Sequence, residues 1–393
     1  MLDEPQTATL PEGRRYAKPL AGSAFLIGGA LGGLMLFVQL YMKSLGASTV
    51  LIGLISSLNA AGTLFGSLFW GAISDRVRRR PLLFITAAAF SVAILVLMWL
   101  PGIETVLLTA FVRLFLFAGF SAIVIAIVSG ASTQARRGKN VSYVSSARAF
   151  GIALGSMTAG FALEWLGFRY GFLLIGVLPA MSAVILLKLP HEPAPRFERQ
   201  RGSFRMIRAA GLTDLYVATV LRQMAIFGTF SLLYIYMDTL AIPPWLMGIL
   251  GSFNMLTQTG ALILFGRLAD RFGRRRIFML GFALSVLTPC LFVLLPTAGG
   301  MALGYVSVGL SFSSLYIGST AHIGDRVPQE QQGTMLGLYE SSRGLGGLFG
   351  PLLAGALVPV TGYPGMFLTM AGIALLGYLV MTVGHRLRIL TSR

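Results

Sequence analysis

The chain alternates between long apolar runs and short polar turns, and the length of the runs indicates their role. A helix that crosses the hydrocarbon core of a membrane needs about 20 mostly apolar residues. The first half contains six such runs, at 19–42, 49–73, 81–100, 103–130, 142–164 and 170–189. The second half contains six more, at 214–238, 245–269, 277–297, 302–323, 335–359 and 366–384. The pattern therefore predicts an all-α polytopic membrane protein with about 12 transmembrane helices.

The polar segments predict how these spans are grouped. We expect an N-terminal tail over 1–18, a six-helix bundle over 19–189, a linker over 190–213, a second six-helix bundle over 214–384 and a C-terminal tail over 385–393. The linker is rich in proline and arginine, and a short amphipathic helix is expected in it around 204–210.

Composition and charge support this interpretation. The chain is 55% hydrophobic and 11% charged, with a mean hydropathy of +0.77, whereas soluble domains carry about 25% charged residues. If the N-terminus is cytoplasmic, 25 of the 31 lysines and arginines fall in cytoplasmic segments or at the cytoplasmic ends of the adjoining spans. Because basic residues concentrate on the cytoplasmic side of membrane proteins, both termini are expected to face the cytoplasm from the cell (inner) membrane. This distribution explains the net charge of +17 without nucleic acid as a partner.

The residue inventory argues against an enzyme. The three histidines, His191, His322 and His385, are scattered, and there is a single cysteine. No cofactor or metal is expected, because no Cys/His cluster or glycine-rich phosphate loop is present. The expected partners are the lipid bilayer and a small-molecule substrate, with proton coupling as a candidate, and the protein is expected to be a monomer.

A loop motif occurs twice at half the chain length. A Gly-x-x-x-Asp-Arg sequence begins at Gly71 and again at Gly266, 195 residues later, and arginines follow each copy. The same shift of 195 overlays further residues without a gap, pairing Gly53, Ser57, Asn59, Arg148, Gly151, Gly155 and Gly160 with Gly248, Ser252, Asn254, Arg343, Gly346, Gly350 and Gly355. The chain therefore consists of a duplicated six-helix unit.

Duplicated six-helix units with both halves starting on the same side form parallel repeats related by an axis along the membrane normal. The loops are similar to the Gly-x-x-x-Asp-Arg-x-Gly-Arg-Arg signature of the major facilitator superfamily, with Arg78 in place of the second glycine in the first copy and Gly273 present in the second. The chain thus resembles this superfamily over its whole length, and most closely its exporter-type branch with twelve helices. The resemblance implies two pseudo-symmetric six-helix bundles that alternate in access around a central site.

The resemblance also implies a gate on the cytoplasmic side. By analogy with the family, Asp75 bridges to span eleven and Asp270 to span five when that side is closed. The glycines that begin the motif are expected to let a neighbouring helix approach closely. The expected gating residues are Gly71, Asp75, Arg76, Arg80, Gly266, Asp270, Arg271, Arg275, Arg148 and Arg343. The remaining arginines of the loops are explained by the positive-inside rule alone.

Two arginines lie inside predicted spans. Arg113 is about ten residues into span four, where a charge costs at least ~2.5 kcal/mol and usually faces a cavity. It resembles the span-four arginine of proton-coupled exporters, although Leu116 and Phe117 replace the glutamine and glycine of that pattern. Arg222 lies in span seven. For both residues, a structural hydrogen bond to backbone carbonyls is the alternative.

Other polar residues within the spans are candidates to line a cavity, or else to join helices by hydrogen bonds. With the two arginines, the candidate substrate and coupling set is Arg113, Arg222, Gln39, Asn59, Asn254, Gln258 and Ser311. In span ten, Ser307, Ser311 and Ser314 share one helix face. The glycine pattern from Gly151 to Gly160 resembles the antiporter motif of exporters, with Ser156 in place of its proline.

The function predicted is secondary transport of a small molecule, with efflux of an amphipathic or drug-like compound first. No acidic residue lies near the middle of a span, which favours neutral, amphipathic or anionic substrates over cations. Uptake or exchange of a sugar or organic anion is the alternative, and a non-transporting receptor on the same scaffold is the alternative of another class.

Overall fold

The computed structural model describes residues 12–74, 76–132, 134–189 and 204–391. Its helices are α1 (Glu12–Ser44), α2 (Thr49–Ser74), α3 (Arg79–Trp99), α4 (Ile103–Gly130), α5 (Gln134–Leu186), α6 (Phe204–Ala209), α7 (Thr213–Ser231), α8 (Leu233–Thr239), α9 (Pro244–Phe272), α10 (Arg274–Leu294), α11 (Ala298–Gly324) and α12 (Gln329–Thr391). Counting α7 and α8 as one span, ten helices in the described ranges are long and apolar enough to cross a membrane.

Helix α5 is a hairpin whose two arms are joined at Gly167. This residue has φ 69° and ψ −176°, a conformation that glycine adopts without steric cost. The first arm runs parallel to α1, because Gly151 lies against Phe25 and Gly155 against Gly29. The second arm runs antiparallel to α1, because Phe172 packs on Phe37 and Ser182 hydrogen-bonds Ser23. The chain therefore reverses at Gly167, and α5 supplies two spans.

Helix α12 repeats this arrangement around Gly362, with φ 68° and ψ 179°. On its first arm Gly350 lies against Met224, and on its second arm Gly377 lies against Ala218. The described chain thus crosses the bundle twelve times, which confirms the predicted number of spans and the all-α class.

The structure differs from the predicted boundaries in several places, including the start of α5 at Gln134, where span five was predicted to begin at 142. Helix α12 continues to Thr391, past the expected membrane end at 384 and through most of the expected tail. Helix α1 begins at Glu12 and passes through Pro19. Span seven is broken at Leu232, where φ −123° and ψ 5° separate α7 from α8. The expected helix in the linker is present as α6, whereas linker residues 190–203 lie outside the described ranges.

Each half is built around one central helix that packs on both arms of a hairpin: α1 on α5, and α7 on α12. Glycines allow these backbones to touch. A Cβ added to Gly155 would lie 2.0 Å from the carbonyl oxygen of Gly29, and one added to its counterpart Gly350 would lie 2.1 Å from that of Met224. Close approach at small residues is the usual basis of helix association in membranes.

The bundle has two distinct ends. At one end, called the basic end here, lie the arginine-rich loops at 76–78 and Gly273 and the turns at 131–132 and 325–328. At the other, the turn end, lie the short connections at 45–48, 100–102, 240–243 and 295–297 and the hairpin glycines. Trp99 and Trp165 are exposed at the turn end, as expected for interfacial tryptophans.

Candidate functional site: the interface between the two halves

An ion pair joins the halves at the turn end. Lys43, in the last turn of α1, donates from Nζ to Oδ2 of Asp238 at the end of α8. Their side chains are 39% and 40% exposed. Asp238 is the counterpart of Lys43 under the shift of 195. The two positions therefore face each other across the axis that relates the halves.

One turn deeper, Gln39 of α1 bridges the break between α7 and α8. Its Nε2 donates to the carbonyl oxygen of Phe230 at 3.0 Å, and its Oε1 accepts from the backbone N–H of Tyr234 at 3.2 Å. Helix ends leave such backbone groups without partners in the helix itself. A side chain from the first half thus completes the hydrogen bonding of a broken helix in the second.

Two further contacts close the turn end, and they are called seams here. In the α2–α12 seam, Thr49 donates to the carbonyl oxygen of Gly355 at 3.1 Å. In the α5–α9 seam, Gly160 lies against Pro244, and a Cβ at Gly248 would lie 2.5 Å from the carbonyl oxygen of Ser156. The structure is therefore sealed at the turn end.

Towards the basic end the α5–α9 seam opens. A cavity of about 420 Å³ separates α5 from α9, lined by Tyr143, Ser146, Ala147, Ala149, Phe150, Met255, Leu256, Thr259 and Gly260. This space is called the α5–α9 cleft. Sealing at one end and an opening at the other is the geometry expected of one state of an alternating-access transporter.

Arg113 is buried in α4, with 1% of its surface exposed. Its Nη1 donates to Oγ1 of Thr109 at 3.1 Å, one turn away on the same helix. Its Nε and Nη2 atoms are buried and make no hydrogen bond to any described residue. A buried guanidinium with open donors is costly unless another group meets it. Among the described residues, Arg113 makes none of the bonds to backbone carbonyls that the structural alternative requires, and its functional role stays a prediction.

Arg222 is enclosed in the second half. Its Nε donates to Ser285 at 3.0 Å, and its Nη2 donates to Ser311 at 3.1 Å. Its Nη1 donates to Oε1 of Gln223 at 2.7 Å. Each nitrogen has a partner, so the geometry corresponds to the structural alternative, with side-chain hydroxyls and an amide in place of backbone carbonyls.

The serine stripe of α11 lies on the same buried network. The hydroxyl of Ser311 is 2.6 Å from that of Ser285, and Ser307 is 3.0 Å from Thr288. Ser311 is fully buried. It joins α10, α11 and α7 and does not line an open cavity, so its prediction as a cavity residue is not supported by its position.

Asn59 and Asn254 occupy equivalent positions in the two repeats. In each, the side-chain oxygen Oδ1 is buried without a hydrogen-bond partner. Gln258 is half-buried; Ser313 donates to its backbone carbonyl at 2.9 Å, and no described residue is hydrogen-bonded to its side chain. These three side chains retain hydrogen-bonding capacity that no described residue uses.

The predicted gate residues are spread along the basic end. Asp75 lies outside the described residues, Gly71 is half-buried, and Arg76 is exposed. Arg80 donates to the carbonyl oxygen of Leu187 within its own half. In the second copy, Asp270 and Arg275 are exposed, and Arg271 lies over the Phe272 ring at 5.3 Å.

The two partners expected for the gate carboxylates are engaged elsewhere. Arg148 donates to Ser121 of α4 at 3.2 Å. Arg343 pairs with Glu340 on its own helix at 2.9 Å and lies 5.0 Å from the Phe312 ring centre. Nothing lies within 4 Å of a Cβ at Gly266, so the close approach expected there is absent in this state.

The contacts that seal the turn end were not predicted. In the sequence, Lys43 and Asp238 are counterparts in the two repeats, but they differ in residue type and carry opposite charges. The signal was present, because residues beside a two-fold axis meet their own counterparts and the shift of 195 joins these two. Within the described ranges, no cluster of His, Cys, Asp or Glu side chains is arranged to hold a metal ion.

Two six-helix halves, sealed at one end and parted at the other, define a secondary membrane transporter. The sequence profile of the Major Facilitator Superfamily matches residues 20–246 and 215–388. The chain belongs to this family.

Relatives agree with this assignment. The multidrug resistance protein MdtG of Klebsiella pneumoniae (strain 342) is 26% identical over 390 residues, covering 92% of this chain and 91% of that protein. The MFS-type transporter YuxJ of Bacillus subtilis (strain 168) is 26% identical over 333 residues, covering 79% of this chain and 83% of that one.

Solved structures share the fold. The nucleoside transporter NupG superimposes with a TM-score of 0.78 at 15% identity, covering 94% of this chain and 99% of that one. A bacterial homolog of the human lysosomal transporter Spinster, in an inward-facing and occupied conformation, gives 0.80 at 13% identity and covers 96% and 98%.

Proposed function

We propose that this protein exports an amphipathic, drug-like small molecule across the cell (inner) membrane by alternating access, with its basic end and both termini in the cytoplasm. The observation that carries the proposal is the asymmetry of the interface between the halves. Lys43–Asp238 and the Gln39 bridge seal the turn end, while the α5–α9 cleft is open towards the basic end. On this orientation the structure is the cytoplasm-facing state, which receives a substrate to be exported.

The substrate class is supported by two features. The lining of the α5–α9 cleft consists mainly of apolar and aromatic residues and contains no charged side chain. Relatives such as MdtG are named multidrug resistance proteins. Pockets that bind drug-sized molecules are typically apolar, with a few polar groups that fix orientation.

Transport then requires the two bundles, 19–189 and 214–384, to rock about their interface. The turn-end contacts break and the basic end closes. Asp270 is exposed here, so it is available to bridge towards the first half in the closed state. Asp75 is proposed to play the equivalent part, and Asp75→Asn should impair transport while the protein still inserts.

Arg113 is proposed to couple transport to binding. Its open Nε and Nη2 donors are suited to a group that arrives during the cycle, and no described acid is paired with it. The same observation favours a second candidate function, the exchange of an organic anion. A carboxylate would satisfy both donors at once, as in the paired hydrogen bonds common to arginine and carboxylates.

Flux measurements in proteoliposomes test these alternatives. Purified protein is reconstituted with an imposed pH gradient, and the movement of Nile red, ethidium and carboxyfluorescein is followed. Transport of the first two supports export of amphipathic compounds, and transport of carboxyfluorescein alone supports anion exchange. Binding of a probe in a thermal-shift assay without flux would indicate a receptor and contradict the proposal.

A further inference from the structure

Helices α1 and α8 end in the same kind of cap at the turn end. After α1, the backbone N–H of Gly46 donates to the carbonyl oxygen of Lys43 at 2.9 Å, and that of Ala47 donates to the carbonyl oxygen of Met42 at 3.0 Å. These two bonds form a Schellman motif, in which the first residue past the helix takes a left-handed backbone conformation. That residue is Gly46, with φ 74°, a value that glycine adopts without steric cost.

The cap of α8 has an alanine at the equivalent position. The backbone N–H of Ala241 donates to the carbonyl oxygen of Asp238, and that of Ile242 to the carbonyl oxygen of Met237, both at 3.1 Å. Ala241 is the counterpart of Gly46 under the shift of 195. Its φ is 55°, and among the described residues it is the one non-glycine residue with a positive φ. In this conformation the Cβ of an alanine lies too close to the following carbonyl oxygen, so the cap of α8 is strained and that of α1 is not.

Burial of the alanine side chain does not offset this strain, because Ala241 is exposed. Gly46 is exposed as well, and a Cβ added to it would meet nothing within 4 Å. Exchanging glycine and alanine at either position therefore changes the backbone strain and little else. The two positions form a matched pair for experiment.

Contacts to the first half lie on both sides of Ala241. Three residues before it, Asp238 pairs with Lys43 of α1. Three residues after it, Pro244 lies against Gly160 of α5. A strained residue persists where the surrounding structure holds it in place. Here that structure includes two contacts that the opening of the turn end must break.

The turn that contains Gly46 is held in the same way. Lys43 precedes Gly46 by three residues, and Thr49 follows it by three and donates to the carbonyl oxygen of Gly355 at 3.1 Å. The two turns are therefore equivalent in their contacts across the interface. They differ in strain, which only the turn of the second half carries.

We propose that Ala241 is a built-in destabiliser of the sealed turn end. While the turn end is sealed, the contacts of Asp238 and Pro244 with the first half hold Ala241 in its left-handed conformation. When these contacts break, Ala241 relaxes, and the strain that is released favours the state that is open at the turn end. The inference rests on the alternating access of the proposed function, and it adds a residue that shifts the balance between the two states.

The separation of the halves at the turn end measures this bias without a substrate. In a Cys290→Ser background, which removes the chain's single cysteine, spin labels are attached at Leu100→Cys and Leu295→Cys. These two exposed residues are counterparts in the repeat and follow α3 and α10. Because they lie outside both caps, the distance between the labels, measured by double electron–electron resonance in nanodiscs, reports the positions of the halves.

Ala241→Gly should lower the ratio of separated to sealed molecules about fivefold, equivalent to ~1 kcal/mol, and raise the melting temperature. Gly46→Ala, which introduces the strain into the first half, should raise the ratio by a similar factor. Ala241→Asn should act in the same direction as Ala241→Gly but less strongly, because asparagine tolerates the left-handed region better than alanine. Ala241→Ser is the control, because serine keeps the strain, and its ratio should equal that of the native protein.

A higher melting temperature in Ala241→Gly with an unchanged ratio would mean that the strain is equal in both states, and it would overturn the proposal. A ratio in Gly46→Ala equal to that of the native protein would overturn it as well. If the native protein moves none of the three probes used above, the proposed export fails, whereas the distance measurement still decides the role of Ala241.

Discussion

Lys43 and Asp238 are the same position in the two repeats, 195 residues apart, and they form an ion pair with each other. This pair, together with the Gln39 bridge one turn deeper, seals the turn end of the protein. Both must break when that end opens. Under the proposed function, they are among the contacts at the turn end whose strength sets the balance between the two states of the transporter.

Removing the ion pair should shift this balance by a modest amount. Exposed pairs contribute about 0.2–1 kcal/mol, so Lys43→Ala and Asp238→Ala should each raise the population of the open turn end by up to about fivefold. The distance between α1 and α8 at the turn end is measured between spin labels attached at Ser44→Cys and Thr239→Cys in a Cys290→Ser background. These two residues follow Lys43 and Asp238 and are counterparts in the repeat. The charge swap Lys43→Asp with Asp238→Lys should restore the native distances, and its failure to do so would mean that the pair has no part in closure.

Gln39→Leu should weaken the closed turn end more than loss of the ion pair does. It leaves the Phe230 carbonyl and the Tyr234 N–H without their side-chain partner, and unmade buried hydrogen bonds cost about 1–3 kcal/mol. A lower melting temperature in detergent is the expected result. Gln258→Leu is the control, because its half-buried side chain makes no hydrogen bond. Equal melting temperatures for the two variants would contradict the bridging role.

Arg113→Met should separate stability from activity. Replacing a buried, incompletely paired charge by an apolar chain of similar length is often neutral or stabilising. We expect the melting temperature to hold or rise while pH-dependent flux is lost. Flux and pH dependence equal to those of the native protein would exclude a coupling role.

Arg222→Met should show the opposite behaviour. This change removes the donor that joins Ser285, Ser311 and Gln223. We expect destabilisation of about 1–3 kcal/mol, with residual flux proportional to the amount of folded protein. Thermal unfolding and flux per folded molecule, measured on the same preparation, distinguish this result from a loss of binding.

Asp270→Asn should impair the cycle without altering the stability of the state seen here. Asp270 is exposed in this state, and its proposed contact forms only when the basic end closes. We expect slower transport, an unchanged melting temperature and normal membrane insertion. Glu104→Gln is the matched control, because Glu104 is an exposed acid in the first turn of α4 at the turn end. Equal transport by the two variants would remove Asp270 from the gate.

The fold could be predicted because its determinants are local and repeated. Each span is a run of apolar residues, and the shift of 195 aligns polar residues and glycines in both halves. The break at Leu232 was not predicted, because no glycine or proline marks it. It is stabilised by Gln39, which is distant in sequence and belongs to the other half.

The buried arginines show where sequence reasoning ends. Both interrupt apolar runs, and for both the sequence leaves a structural hydrogen bond as the alternative to a functional role. The structure distinguishes them through their hydrogen bonds: Arg222 donates to two serines from α10 and α11, whereas among the described residues Arg113 donates to Thr109 of its own helix alone. Which helices pack around a residue is a property of the whole bundle and cannot be read from the residue's own segment.

The Lys43–Asp238 contact also constrains how such a chain can arise. Were the two halves identical subunits of a symmetric dimer, a residue beside the axis would meet its own copy, since such an interface is self-complementary. Two lysines or two aspartates would then repel each other at this place. An attractive pair of opposite charges becomes available only once the halves are joined in one polypeptide and their sequences differ. Covalent fusion therefore permits an ion pair between equivalent positions, which no symmetric homodimer of either half could form.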